Sequence, residues 1–353
     1  MGGDFLQPLA VTAPLLPKPA ADEADDRLPD CSPRQTPVGS AASSTAPPSL
    51  VHWPIKKMLL VLGAVGTLYA AALLAWGGQL GTSLAPLGSW VGVQAGALCL
   101  LNYALRGWRW RLWMARYQRH FGAVQGLRLY VAGYAFTPTP GNVGEAVRTL
   151  MLADKPLTLA QSLAVFGAER LADLLCLLLL CVPAGVWVLQ HGVVAPGTAA
   201  ALAGVALLGA VAALAAVLAF RQRLAQRLPW LAEAAACLAH QPARWLGLTL
   251  LAWAAQGAAL WLLCQAAGVQ VTLALAIGFY AVAMVAGALS ALPAGLGGTE
   301  AVLTGLLMLL GTPGGQALAI TVGVRVVSLW LAVALGVLAL FYSAAIRKDI
   351  RLA

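Results

Sequence analysis

Charged side chains are scarce in this chain: Asp, Glu, Lys and Arg make up 10% of its 353 residues, against about 25% in soluble globular proteins. Apolar residues account for 60% of the sequence, where about 45–50% is typical of soluble domains. This balance excludes an ordinary soluble domain, a disordered protein and a nucleic-acid binder. It predicts an all-α, polytopic membrane helical bundle. The formal net charge of +9 must then be assigned to one side of the bilayer.

The chain also lacks the residue patterns of metal centres and disulfide frameworks. Its six cysteines form no Cys-x-x-Cys pair and no cluster with histidine, so we expect neither a metal nor another cofactor. No nucleophile–base pair and no phosphate-binding motif is present, which argues against an enzyme. One acidic pair within an apolar run, Glu169 and Asp173, leaves acid–base chemistry open as an alternative.

The sequence divides into three regions. Residues 1–52 are rich in proline and carry an acidic run at 22–26, which is typical of a disordered tail. This tail has no basic segment followed by an apolar core, so it is not a signal peptide. Apolar sequence begins abruptly after residue 53 and predicts a transmembrane domain over 53–346. A short basic tail, 347–353, follows it.

Six apolar runs are long enough to span a membrane, because about 20 helical residues cross a hydrocarbon core of ~30 Å. They are 58–76, 86–105, 160–190, 198–220, 244–267 and 317–343. Two further apolar segments, 127–152 and 273–311, are interrupted by proline and glycine. Such breaks are tolerated at membrane depth only where protein or water covers the freed backbone. Each of these two segments is therefore predicted to be a broken or re-entrant helical hairpin.

Lysine and arginine are distributed unequally between the predicted loops, and this bias sets the topology. Basic clusters surround 106–128 and 221–244, precede the first span and follow the last one. Neither lysine nor arginine occurs in the loops near 77–85, 191–197, 268–272 and 312–316. If each broken segment enters and leaves on one side, both termini and all basic loops are cytoplasmic. All basic residues of the transmembrane domain except Arg170 and Arg325 then adjoin cytoplasmic segments.

The two broken segments resemble each other, because both contain proline and glycine followed by Glu-Ala-Val and a threonine. Arg170 follows Glu145 by 25 residues, and Arg325 follows Glu300 by the same number. Three full spans separate the copies, an odd number, so the sequence predicts an inverted repeat of the kind found in many secondary transporters. The residues expected to shape the two breaks are Pro140, Gly141, Gly144, Pro293, Gly295, Gly297 and Gly298.

The few charges inside the predicted spans supply the candidate site. A charge at membrane depth costs at least ~2.5–3.5 kcal/mol, so it normally faces a partner or a wet cavity. Glu169 lies ~16 Å inside its span if the helix starts near Thr158, and Asp173 shares its face and can reach Arg170. The candidate substrate-binding residues are Glu145, Arg148, Glu169, Arg170, Asp173, Glu300 and Arg325.

Two interpretations of these residues stay open. Glu145 and Glu300 fit the third position of a helix, where a carboxylate caps the N-terminus. They fit equally a carboxylate that pairs with arginine, or takes up a proton, as the site opens to each side in turn. Arg170 and Arg325 form structural ion pairs, or they await a lipid phosphate that the planar guanidinium binds through two hydrogen bonds. Arg148 fits either the site or an anchor at the cytoplasmic interface.

An arginine–tryptophan stretch, Arg-Gly-Trp-Arg-Trp-Arg at 106–111, follows the second apolar run. Tryptophan and arginine are typical of the membrane–water interface. We interpret the stretch as an interfacial anchor, which would also be able to gather anionic headgroups at the cytoplasmic face.

With this stretch, residues 54–346 resemble the lysylphosphatidylglycerol synthase transmembrane region, a flippase-like family of integral membrane proteins. The resemblance implies a multi-pass inner-membrane protein that moves lipids between leaflets, in a family associated with aminoacylated phospholipids or with polyprenyl-linked sugar and hopanoid pathways. The proline-rich tail departs from the family pattern. The sequence does not contain the soluble aminoacyl-transfer domain of bifunctional members, so we expect no lysyl transfer. The other matching motifs are Pro140-Gly141-x-x-Gly144-Glu145 with Arg148, Glu169-Arg170, Pro293-x-Gly295-x-Gly297-Gly298-x-Glu300, Arg325 and Leu335-Gly336.

The leading hypothesis is a flippase for a phospholipid or a polyprenyl-linked lipid, whose partners are membrane lipids with anionic or amphoteric headgroups. One alternative is an ion-coupled transporter of a small soluble solute, which would take up solute without exchanging lipid. Another is a non-transporting scaffold for lipid-biosynthetic enzymes. The scaffold would keep its function after neutralisation of Glu145, Arg170, Glu300 and Arg325.

Overall fold

The computed structural model describes residues 85–137, 157–193, 228–290 and 292–346, together with Glu145, Ala146, Arg148 and the isolated helical positions 63, 67 and 71. Within these residues the chain forms α-helices and short 3-10 or π turns, and no β-strand, which confirms the all-α bundle. The described residues form ten α-helices with defined bounds: α1 Trp90–Arg116, α2 Ala123–Ala132, α3 Leu159–Leu180, α4 Val182–Gln190, α5 Pro229–Ala239, α6 Pro242–Ala266, α7 Leu273–Leu289, α8 Gly298–Leu309, α9 Gly314–Arg325 and α10 Leu331–Ile346.

Three stretches of the described residues are long and apolar enough to cross a membrane: Leu159–Gln190, Pro242–Ala266 and Gly314–Ser343. They match three of the predicted runs. The predicted run 86–105 falls largely within α1, which continues as helix to Arg116. The predicted spans 58–76, apart from three isolated helical positions, and 198–220 lie outside the described residues, as do both predicted tails.

Local sequence signals explain where several helices begin. The Thr158 hydroxyl accepts from the backbone N–H of Gln161, and the Gln161 side chain accepts from the backbone N–H of Thr158, which closes a capping box on α3. Thr272 caps α7 by accepting from the N–H of Leu275. Proline occupies the first position of α5 and of α6, where a missing N–H costs nothing.

The second broken segment forms the predicted helical hairpin. Its first arm, α7, is 17 residues long and its second arm, α8, is 12 residues long. At 1.5 Å per residue these arms are about 25 and 18 Å long, shorter than a hydrocarbon core of ~30 Å. These lengths favour re-entry over two full crossings. The arms pack closely, because a Cβ on Gly287 of α7 would overlap the Thr299 side chain of α8.

The break of the second hairpin depends on the predicted glycines. Gly295 and Gly297 adopt φ angles of +68° and +85°, which glycine adopts without the penalty that a Cβ imposes. Pro293 opens a 3-10 turn ahead of them, and Gly298 begins α8. In the first hairpin, α2 continues into a 3-10 turn at Gly133–Phe136, whereas Pro140, Gly141 and Gly144 lie outside the described residues.

The core forms where α1 packs along α6 and around the hairpins. The buried Asn102 amide of α1 donates to the carbonyl oxygen of Ala252 in α6 at 2.7 Å, which ties the helices together inside the bundle. Trp110 and Trp113 of α1 are completely buried. Gly336 lets α10 approach the turn at Tyr134 and Ala135 so closely that a Cβ there would overlap its backbone.

Candidate functional site

Glu300 and Arg325 form a buried ion pair in the second repeat. Nε of Arg325 donates to Oε1 of Glu300 at 2.7 Å, while Oε2 of Glu300 accepts from the backbone N–H of Gly297, also at 2.7 Å. One carboxylate oxygen of Glu300 therefore caps α8 while the other binds arginine, so the capping role and the pairing with arginine occur together.

Arg325 also holds the break of the hairpin. Its Nη2 donates to the carbonyl oxygen of Ala294 at 2.9 Å, and Ala294 is left-handed at φ +55°. An L-residue adopts this conformation only where surrounding contacts compensate for its cost. The arginine thus connects α9 to the strained turn and to the first turn of α8.

The equivalent pair in the first repeat, Glu145 and Arg170, is looser. Nη2 of Arg170 lies 3.4 Å from Oε2 of Glu145, and the Thr137 hydroxyl donates to Oε1 of Glu145 at 3.0 Å. The Glu145 side chain is 2% exposed and that of Arg170 is 31% exposed, whereas Arg325 is 2% exposed. Each arginine is the twelfth residue of its helix, so the matched spacing in the sequence places both at corresponding points.

Arg148 binds Glu169 inside the protein. Their side chains are 4% and 0% exposed and form a short ion pair, and the Arg148 guanidinium lies 4.4 Å from the centre of the Tyr130 ring. The alternative in which Arg148 only anchors the interface is therefore wrong, because its charge is enclosed and paired. Arg148 also approaches Glu145, at 3.8 Å.

Asp173 binds two arginines that the sequence interpretation assigned to an interfacial anchor. Its Oδ2 accepts from Arg106 at 2.7 Å and its Oδ1 accepts from Arg109 at 2.6 Å. The Trp253 indole N–H lies 3.2 Å from Oδ1, and Arg170 lies 3.6 Å from Oδ2, as its i, i+3 spacing predicted. Asp173 is thus the acceptor around which α1, α3 and α6 converge.

The anchor interpretation and the prediction that only two arginines lie inside are both wrong. Arg106 and Arg109 are 7% and 0% exposed, whereas Trp108 between them is 59% exposed. Arg109 and Trp110 follow Arg106 by three and four residues, which places all three on one face of α1, and that face packs inward. This periodicity was the available signal, and sequence reasoning missed it because the basic residues were assigned to a loop.

A cavity of about 90 Å³ brings the two repeats together. The first repeat contributes Glu145 and Arg170, and the second contributes Ala294 and Arg325. Arg106 and a group of tyrosines complete the wall: Tyr103, Tyr134 and Tyr280. A site of this polarity and size is able to hold several waters or the polar part of a ligand.

A π turn at Val326–Trp330 follows Arg325 and lines the same cavity. The widened backbone of this turn leaves carbonyl oxygens available to other donors. The Tyr103 hydroxyl lies 2.5 Å from the carbonyl oxygen of Ser328 and 3.2 Å from the carbonyl oxygen of Val327. Such single π turns are frequent at functional sites. In the described residues, no group of three His, Cys, Asp or Glu side chains is arranged to hold a metal ion.

Comparison with known proteins agrees with this architecture. A segment of 89 residues is 37% identical to a UPF0104 membrane protein of Methanothermobacter thermautotrophicus, and it covers 25% of this chain and 27% of that protein. No solved structure matches the chain. The lysylphosphatidylglycerol synthase TM region family matches residues 60–336, which include both hairpins and all the charged residues of the site. The chain therefore belongs to the lysylphosphatidylglycerol synthase TM region family of integral membrane proteins.

Proposed function

We propose that this protein moves a phospholipid or a polyprenyl-linked lipid between the two leaflets of a membrane. The observation that carries the proposal is that both repeats meet at one cavity, which is lined by the Glu145–Arg170 pair of the first repeat and by Arg325, the partner of Glu300, from the second. Broken helices that meet near the membrane midplane are typical of secondary transporters, where the halves rock around a fixed site. The lipid headgroup would occupy the cavity, and the two pairs would exchange contacts with it as the hairpins move.

The surroundings of Arg170 favour a lipid over a soluble solute. Arg170 is the most exposed arginine of the cavity, and the helix that carries it presents apolar side chains outward. A headgroup would reach the arginine while its acyl chains stay against this apolar surface. The outward side chains of α3 with 41–52% exposure are Leu171, Leu174, Leu175, Leu178 and Leu179.

The proposal includes an orientation in the inner membrane, with both termini in the cytoplasm. Its support is the clustering of Lys and Arg in the loops near 111–128 and 221–244, since Lys and Arg favour the cytoplasmic side. Arg106, Arg109 and Arg148 are buried, so they no longer count toward this charge bias. The bias keeps its direction, because Arg111, Arg116 and Arg119 remain near the end of α1.

Leaflet exchange in vesicles tests the function. The full chain is reconstituted into liposomes that contain a fluorescent phospholipid or a polyprenyl phosphate, and an impermeant quencher reports the outer-leaflet fraction over time. We expect exchange above that of empty liposomes, slowed by Arg170→Ala and by Glu300→Gln. The matched control is Arg244→Ala, because Arg244 is exposed and pairs only with Gln241 among the described contacts.

Two results would overturn the proposal. One is a lack of exchange above empty liposomes for every lipid tested. The other is uptake of a soluble solute without lipid exchange, which would make the protein a solute transporter. Exchange at wild-type rates in both site variants would keep the function but reduce the ion pairs to structural contacts.

A further inference from the structure

We infer that the cavity binds a singly charged phosphate group between Arg106 and Arg170. This inference rests on the proposed function, because it names the headgroup chemistry that the same site would take. The charge balance of the two repeats leaves an excess positive charge at these two guanidinium groups.

Charge is balanced in one repeat and unbalanced in the other. Among the described residues, Arg325 of the second repeat faces Glu300 alone, so the pair is neutral. The described part of the cluster around the first repeat contains four arginines but three carboxylates, which leaves one positive charge in excess. Its members are Arg106, Arg109, Arg148 and Arg170 on one side and Glu145, Glu169 and Asp173 on the other.

Two of the four arginines pair with their partners away from the cavity. Arg148 is enclosed against Glu169, and Arg109 donates both to Asp173 at 2.6 Å and to the Thr249 hydroxyl at 2.9 Å. Neither of them lines the cavity. The excess charge therefore lies with Arg106 and Arg170, which do line it.

Arg106 and Arg170 converge on one oxygen. Nη2 of Arg106 and Nη2 of Arg170 lie 2.7 and 3.6 Å from Oδ2 of Asp173. Their terminal nitrogens are therefore close enough for two oxygens of one small anion to contact both. Nε of each is buried and has no hydrogen-bond partner among the described residues. An anion in the cavity that accepts from the terminal nitrogens of both arginines would add charge-assisted hydrogen bonds and stabilise the site.

A phosphodiester fits this demand better than the other anionic or zwitterionic groups of lipids. Its single negative charge equals the excess, and its oxygens accept from planar guanidinium groups. A doubly charged phosphate would be repelled by Glu145 at the same wall. A quaternary ammonium would compete for aromatic faces that are already occupied, since Arg106 lies 5.1 Å from the Trp253 ring centre and 6.0 Å from that of Tyr134.

Lipid binding to the detergent-purified full chain tests the inference without requiring transport. The probes are phosphatidylglycerol, which carries one negative phosphodiester, zwitterionic phosphatidylcholine and uncharged diacylglycerol, with binding read by native mass spectrometry. We expect phosphatidylglycerol to bind at least about tenfold more tightly than the other two. Arg106→Gln and Arg170→Gln should each weaken it by about tenfold or more, and Arg244→Gln should leave it unchanged.

Glu145→Gln provides a test that misfolding cannot imitate. It removes a negative charge beside Arg170 while keeping an oxygen that accepts from Thr137, so the excess positive charge rises and phosphatidylglycerol should bind more tightly. Weaker binding in this variant, with an unchanged melting temperature, would contradict the inference. So would equal affinities for phosphatidylglycerol and diacylglycerol in the wild-type protein.

Inorganic phosphate, used at a mildly acidic pH at which it is mainly singly charged, distinguishes the two sources of the anion. Suppose that inorganic phosphate displaces phosphatidylglycerol from the wild-type protein but does not displace the phosphatidylglycerol that remains bound to Arg170→Gln. The site then recognises phosphate by itself. If inorganic phosphate binds alone and no lipid does, the site belongs to a soluble anion and lipid recognition is wrong. Phosphatidylglycerol binding without leaflet exchange would refute the proposed function and leave the phosphate site intact. Leaflet exchange without headgroup preference would refute the phosphate site and leave the proposed function intact.

Discussion

Arg325 donates from Nε to Oε1 of Glu300 at 2.7 Å, across 25 positions of the chain. Arg170 faces Glu145 across the same 25 positions, at 3.4 Å. The pairs differ in enclosure, because the Arg325 side chain is 2% exposed and that of Arg170 is 31% exposed. The arginine of the second repeat is thus enclosed beside its carboxylate, whereas the arginine of the first repeat is partly exposed.

Breaking the tighter pair should destabilise the protein. Glu300→Gln keeps an oxygen that accepts from the N–H of Gly297 but leaves the Arg325 charge buried without a carboxylate. Loss of one partner from a buried pair costs about 3–5 kcal/mol. Denaturant unfolding in detergent, followed by circular dichroism, measures the change.

Glu233→Gln is the matched control for that variant. Glu233 faces Arg116 at 4.0 Å, and their side chains are 44% and 36% exposed, so its loss should cost about 0–1 kcal/mol. Equal destabilisation by the two substitutions would show that the burial of the Glu300–Arg325 pair contributes nothing to the free energy of unfolding.

Asp173→Asn should lower the stability by more than loss of any other single carboxylate of the cluster. The substitution keeps the shape of the side chain but leaves both Arg106 and Arg109 without their acceptor charge, and about 3–5 kcal/mol is the usual cost of one such orphaned group. The melting temperature of Asp173→Asn is compared with that of Glu169→Gln, which orphans Arg148 alone. A smaller loss in Asp173→Asn would mean that Arg106 and Arg109 do not depend on Asp173.

Gly297→Ala should disturb the second hairpin by backbone strain alone. Gly297 has φ +85°, and among the described residues an added Cβ would meet within 4 Å only a Leu292 methyl group, at 3.7 Å, so contact is not the cause. A left-handed conformation costs an L-residue about 1–2 kcal/mol. Gly305→Ala, in the middle of α8 with open space around it, should instead stabilise by about 0.5–1 kcal/mol. Thermal unfolding of the two variants should therefore shift in opposite directions.

The hairpin break and the Glu–Arg pairs were predictable from sequence, because each depends on a signal that is local or repeats. Proline with glycine marks the break at Pro293, and the repeated 25-residue spacing marks Glu145 with Arg170 and Glu300 with Arg325. The inward position of Arg106 was not predictable from hydropathy. The apolar run ends near residue 105, yet α1 continues to Arg116, and Asp173, which neutralises Arg106, stands 67 residues away.

If the two hairpins act as equivalent halves around one lipid site, leaflet exchange depends on Glu145 and Glu300 alike, and the exchange rates of Glu145→Gln and Glu300→Gln measure this dependence. Each variant removes one carboxylate of one pair, so each should slow the exchange of labelled phosphatidylglycerol in reconstituted liposomes by about tenfold or more, the effect of 1.4 kcal/mol. Glu233→Gln, which alters an exposed pair, should exchange at the wild-type rate. Exchange at the wild-type rate in either site variant, with the fold retained, would show that the two hairpins are not equivalent halves of one site.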